Sequence, residues 1–93
     1  MPKLITEIVS GEPYQYASLG EHVVRAIGVC QERPTFKYTR IEIAGTLDRL
    51  AAGESIEAIV EGYQNRVPEE AIIEAMQLAT VQFAESLPQL EPA

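Results

Sequence analysis

Cysteine, histidine and aspartate each occur once in these 93 residues and tryptophan not at all, which removes much of the raw material of catalysis. Cys30 has no second cysteine to pair with, and without a Cys or His cluster beside it a metal site is excluded. Only Arg33 stands close enough in sequence to activate it, so Cys30 reads as a small, partly buried thiol in a reducing compartment. His22, next to Glu21 in a strand-like stretch, has no identifiable nucleophile or orienting partner and reads as a surface or edge residue. Gly-rich phosphate loops, His-Glu-x-x-His and Cys-x-x-Cys are missing. The carboxylate pairs Glu57/Glu61 and Glu70/Glu74 lack the histidine of a helical-bundle metal site and read as solvated acidic faces. No enzyme activity, cofactor or metal is therefore expected.

Long apolar runs are missing too. Val23-Val24 and Ala71-Ile72-Ile73 fall far short of the ~20 residues that span a bilayer. Glu7 interrupts the apolar stretch near the N-terminus, unlike a secretory signal, so a cytoplasmic protein is expected. Basic residues are scarce: seven against fourteen acidic, for a net charge of −7. Residues 1–32 hold two basic and four acidic groups, 33–40 three basic and none acidic, and 41–93 two basic and ten acidic. Most of such a surface repels polyanions and suits a basic partner, and the one positive segment runs from Arg33 to Arg40.

What is present suffices for one domain with one modest core. Leu4 to Val9 is rich in β-branched residues and is followed by the turn residues Ser10-Gly11-Glu12-Pro13; Tyr14 to Ala17 and His22 to Val29 supply further strand patterns. Two or three short strands are marginal alone and need a helix layer or a second subunit, which predicts a homodimer. Pro34 imposes an extended connector through Tyr38. Thr39 and Glu42 stand at capping-box spacing, Ile43, Leu47 and Leu50 share a helical face, and Gly53 supplies a left-handed stop, so a first helix is predicted over 41–52. Ser55 caps a second helix through Tyr63, with Ile56, Ile59 and Val60 on one face. Pro68, Glu69 and Glu70 open a third over 68–86, on which Ile72, Ala75, Met76, Ala79, Thr80, Phe83 and Leu87 form one apolar stripe. The expected organisation is a β-strand region over 1–32, a trihelical helix-turn-helix domain over 33–87 and a tail over 88–93. The fold class expected is thus mainly α (α+β), with two or three short N-terminal strands ahead of a trihelical core.

Pro34 to Tyr63 resembles a small bacterial family, domain of unknown function 433. Its pattern stands here as Pro34, Thr39-Arg40-Ile41, Leu50-Ala51-Ala52-Gly53, Ser55-Ile56-Glu57-Ala58-Ile59, Tyr63 and Glu70-Ala71-Ile72. Where many members carry a Gly before Thr-Arg-Ile and a Pro after the Tyr, this chain has Tyr38 and Gln64, and Val67 replaces a Ser or Thr cap. The resemblance implies a homeodomain-like helix-turn-helix unit in a group described as predicted antitoxins paired with PIN-like nucleases. It implies a small dimer that blocks a toxin and binds its operator DNA.

For DNA, a third helix opening with Glu69, Glu70 and Glu74 is poorly suited to phosphates. The better nucleic-acid contacts are Arg33, Lys37, Arg40 and Arg66, with Arg40 expected to favour an ion pair with Glu57 or Glu61. The leading expectation is an antitoxin-like protein that binds a toxin and its operator. The alternative is a non-catalytic dimeric interaction module without DNA binding.

Overall fold

The computed structural model describes residues 3–91. Four strands, β1 (Leu4–Val9), β2 (Glu12–Ser18), β3 (Val23–Ala26) and β4 (Thr35–Phe36), form an antiparallel sheet in the order β1-β2-β3-β4. Three helices follow: α1 (Ile43–Ala51), α2 (Ile56–Gly62) and α3 (Glu69–Ser86). The β1–β2 turn is made by Ser10 and Gly11, both at positive φ (52° and 80°), as a two-residue hairpin requires. Its register sets Ile5 against Tyr16 and Glu7 against Tyr14.

This arrangement corrects the expected fold class. The structure is α+β, not a mainly α trihelical core with strands ahead of it. Thr35 and Phe36, expected within a connector, pair with Val24 and Val23 as the fourth strand. The main core then draws on both layers: Val23 and Phe36 from the sheet pack with Ile43, Ile59, Val67, Ala71, Ile72 and Ala75 from the helical half. Helices as short as α1 and α2 cannot enclose a core alone, and the sheet face completes it. The opposite sheet face carries a smaller cluster of Tyr16, Val24 and Ala26, flanked by Tyr14 and Val29.

Local chemistry sets the helix ends. Ser55 Oγ accepts a hydrogen bond from the Ala58 amide at 3.1 Å, and Gly53 takes a φ of 97° after α1. The Thr39/Glu42 capping box does not form. Thr39 Oγ1 donates to the Phe36 carbonyl and accepts from the Ile41 amide, while Glu42, at the N-cap position, gives its carboxylate to Arg33.

A radius of gyration of 15.2 Å exceeds the about 12 Å expected of a compact chain this long, so parts of the molecule stand clear of the body. The second half of α3 is one of them: buried residues occur at Ala71, Ile72 and Ala75, while residues 80–91 are exposed throughout. Among the described residues no helix is long and apolar enough to cross a membrane.

Candidate functional site

Two concave surfaces flank the sheet–helix junction. The first is built around Tyr38. Tyr14 and Tyr16 alternate with Gln15 on β2, so both rings rise from one face, and Tyr38 joins them after β4. Ring centroids lie 5.1 Å apart for Tyr14/Tyr16 and 5.4 Å for Tyr14/Tyr38, separations at which aromatic rings attract. Glu7 accepts hydrogen bonds from the Tyr16 hydroxyl and, at 2.7 Å, from the Tyr38 hydroxyl. Those two hydroxyls, with Lys37 3.7 Å away, hold the Glu7 carboxyl below its ordinary range. Lys37 lies over the Tyr16 and Tyr38 rings at 4.9 and 5.0 Å. The Tyr16 and Tyr38 hydroxyls raise its pKa above the usual lysine value.

Tyr38 stands at a φ of 67°, in the left-handed region where a Cβ is disfavoured. This is the position at which the sequence pattern carries glycine. Here the conformation is held by two bonds a glycine could not secure together: the Tyr38 amide donates to the Tyr14 hydroxyl at 3.0 Å, and its own hydroxyl reaches Glu7. Gln64 stands at a φ of 56°, which proline cannot adopt, so the replacement of that pattern residue accompanies a different path after α2.

The four basic residues expected to contact nucleic acid, Arg33, Lys37, Arg40 and Arg66, separate into three settings. Arg33 is bound to Glu42 by two bonds of 2.6 and 3.1 Å, away from the ring cluster and beside α1. Lys37 is committed to Glu7 and the rings. Arg40 and Arg66 remain: both are exposed, and both line an open concavity of about 460 Å³ with Tyr14, Tyr38 and Thr39. The expected pairing of Arg40 with Glu57 or Glu61 is not formed, and among the described residues neither Arg40 nor Arg66 makes an ion pair. Cys30 is half-buried beside them, its thiol donating to the Arg40 carbonyl at 3.3 Å.

The second surface is an apolar groove between α1 and the outer half of α3. Leu19, Val23, Ile43, Leu47, Leu78 and Val81 line it, and it encloses about 520 Å³. Arg33, Glu42 and Glu85 supply its charges, and the first two neutralise each other. Sequence periodicity marked Ile43 and Leu47 on α1 but neither Leu78 nor Val81 on α3, and not the gap between the helices, because the gap depends on where α3 leaves the body.

The remaining pattern residues lie in the core, at the joints between elements and on the surface of α2. The Pro34 carbonyl accepts from the Ile43 amide and the Ile41 carbonyl from the Phe36 amide, closing β4 onto the start of α1. Ile59 is fully buried. The Tyr63 hydroxyl lies 2.8 Å from that of buried Thr46, and its ring lies under Arg49, which pairs with Glu54 at 2.8 Å. Glu57 is exposed in the first turn of α2, where a carboxylate suits the helix dipole. Among the described residues no group of three or more His, Cys, Asp or Glu converges as metal ligands would.

The family model described as Protein of unknown function (DUF433) matches residues 23–79. No curated protein and no solved structure matches the chain. With well over half its length inside that match, the chain belongs to the DUF433 family.

Proposed function

We propose that this member of the DUF433 family acts by binding rather than by turnover, as an antitoxin-like protein whose partner is a PIN-like nuclease with a basic surface. The observation that carries the reading is the apolar groove between α1 and α3. Its walls offer hydrophobic area to a partner, which drives association, and the surrounding charge selects which partner arrives. Residues 41–93 hold ten acidic groups against two basic ones, and of the latter Arg49 is already paired with Glu54. Such a surface attracts a basic protein and turns away acidic ones.

The test is co-expression with a PIN-like nuclease. Growth rescue and a recoverable complex are expected from the native chain. Ala44→Arg, an exposed change on the groove wall, should abolish both while leaving the fold intact. Growth arrest with no complex from the native chain would refute the reading.

A second reading, contact with operator DNA, is favoured by Arg40 and Arg66 sharing one concavity beside an exposed tyrosine ring. With Arg33 and Lys37 engaged internally, DNA contact rests on those two cations, so it is the weaker of the two activities.

A further inference from the structure

The concavity that holds Arg40 and Arg66 has a neighbour. A second hollow of about 380 Å³ is lined by His22, Phe36, Lys37 and Pro68, and Tyr38 and Arg66 line both recesses. Arg40 adds its charge to the first, where Tyr14, Val29 and Ile41 supply apolar wall. Among the described residues neither arginine makes an ion pair, although the chain carries twice as many acidic groups as basic ones. Glu21 is the one carboxylate lining either recess. Tyr38, 51% exposed, is held by its amide on the Tyr14 hydroxyl and by its own hydroxyl on Glu7. The shared wall is therefore set before any ligand arrives, and binding spends little on ordering it.

We propose that these two recesses bind a single strand of nucleic acid, with an unpaired base in the first and the backbone phosphates on Arg40 and Arg66. The inference rests on the operator reading in taking the two arginines to face phosphates, and it changes the ligand from a duplex to an unpaired strand. A duplex keeps its bases paired inward and is read by a helix or β-ribbon pushed into its major groove. Here the free cations line hollows, and the helix beside them, α3, opens with Glu69 and Glu70, which phosphates avoid. Unpaired bases leave the stack, enter apolar hollows and let the backbone follow the cations. An acidic peptide would satisfy the arginines but offer nothing to Tyr14, Val29 and Ile41. A strand, unlike a lone nucleotide, continues past Arg66 into the second recess.

Fluorescence anisotropy with end-labelled probes of equal length tests it: oligothymidylate, oligouridylate, an upstream-promoter duplex and oligoglutamate. At least one single strand should bind more tightly than the duplex or the peptide, and the tighter of the two names DNA or RNA as the source. Two phosphate contacts on a single strand give a log–log salt slope of about −1.4. Arg66→Ala should weaken binding about tenfold and halve that slope, with unaltered circular dichroism because Arg66 is exposed. Lys3→Ala, which removes the same charge outside both recesses, should bind as the native chain does. A duplex bound as tightly as either strand would overturn the proposal and leave the operator reading standing. Oligoglutamate bound as tightly, or single-strand binding indifferent to Arg66→Ala, would also overturn it. No binding of any probe at low salt would overturn both readings, whereas a bound strand beside an unbound duplex would remove the operator reading alone.

Discussion

The second turn of α3 is joined to the β2–β3 turn by a single carboxylate. Glu74 accepts from the backbone amides of Glu21 at 2.9 Å and His22 at 2.7 Å. Gly20 lies beneath it, where an added Cβ would stand 2.6 Å from Glu74 Oε1. Bonds from amides to a charged acceptor are worth about 1.5–3 kcal/mol each when sheltered and less when exposed, so the pair contributes about 2 kcal/mol. Glu74→Ala should cost that amount. Gly20→Ala in the native background should displace the carboxylate, whose side chain can swing away, and so cost no more than the loss of the clamp. Reduced freedom of the unfolded chain offsets part of this, by about 0.5 kcal/mol, leaving a net cost of about 1.5 kcal/mol. With Glu74 already Ala, nothing remains for the new methyl to meet, and Gly20→Ala should stabilise by about 0.5 kcal/mol. The double-mutant cycle, from urea unfolding of the four proteins, should therefore give a coupling near ~2 kcal/mol in magnitude. Additive effects would refute the clamp.

Thr35 is fully buried in β4 and its Oγ1 has no hydrogen-bond partner among the described residues, so Thr35→Val should stabilise by about 1 kcal/mol, read as a higher thermal midpoint. Glu7, held by the Tyr16 and Tyr38 hydroxyls, Glu42 by Arg33 and Glu54 by Arg49 all have lowered pKa values. A carboxylate whose folded pKa is depressed gives its stabilisation above the unfolded value near 4.5 and loses it as pH falls through the folded one. Urea midpoints should therefore fall as the solution is acidified below pH 4.5, and less steeply in Tyr16→Phe, which frees Glu7 from its strongest partner. In gel shifts on the upstream promoter, two phosphate-facing cations set a log–log salt slope no steeper than about −2. Arg40→Ala should halve it, and a slope unchanged by that substitution would remove Arg40 from the contact.

Legibility in the sequence followed the range of the interactions. Ser55, Gly53 and the Ile56/Ile59 face were readable because a cap, a left-handed stop and a helical period are local. β4 was not, since two residues carry no period and Thr35–Phe36 become a strand only by pairing with Val24 and Val23. The capping box failed by register: α1 opens only at Ile43, which puts Glu42 at the N-cap itself instead of three residues past it, and its carboxylate goes to Arg33. On α3 the single stripe expected omits Ile73, Leu78 and Val81 and divides into an inward face with Ile72 and Ala75 and an exposed one with Met76, Phe83 and Leu87. Periodicity ranks residues by polarity and does not say which of two apolar arcs meets the sheet. The basic segment shows the same limit, because only the folded positions of Glu42 and Glu7 decide that Arg33 and Lys37 are engaged while Arg40 stays open.

The central claim is that the α1–α3 groove receives a basic nuclease. Methyl NMR of the labelled chain during titration with a PIN-like nuclease tests it most directly. Shifts concentrated on the methyls of Ala44, Leu47, Leu78 and Val81, with those of Val29, Thr39 and Ile41 around the Arg40 and Arg66 concavity unaffected, are the predicted result. Shifts confined to the Arg40 and Arg66 concavity, or none at saturating nuclease, would contradict it.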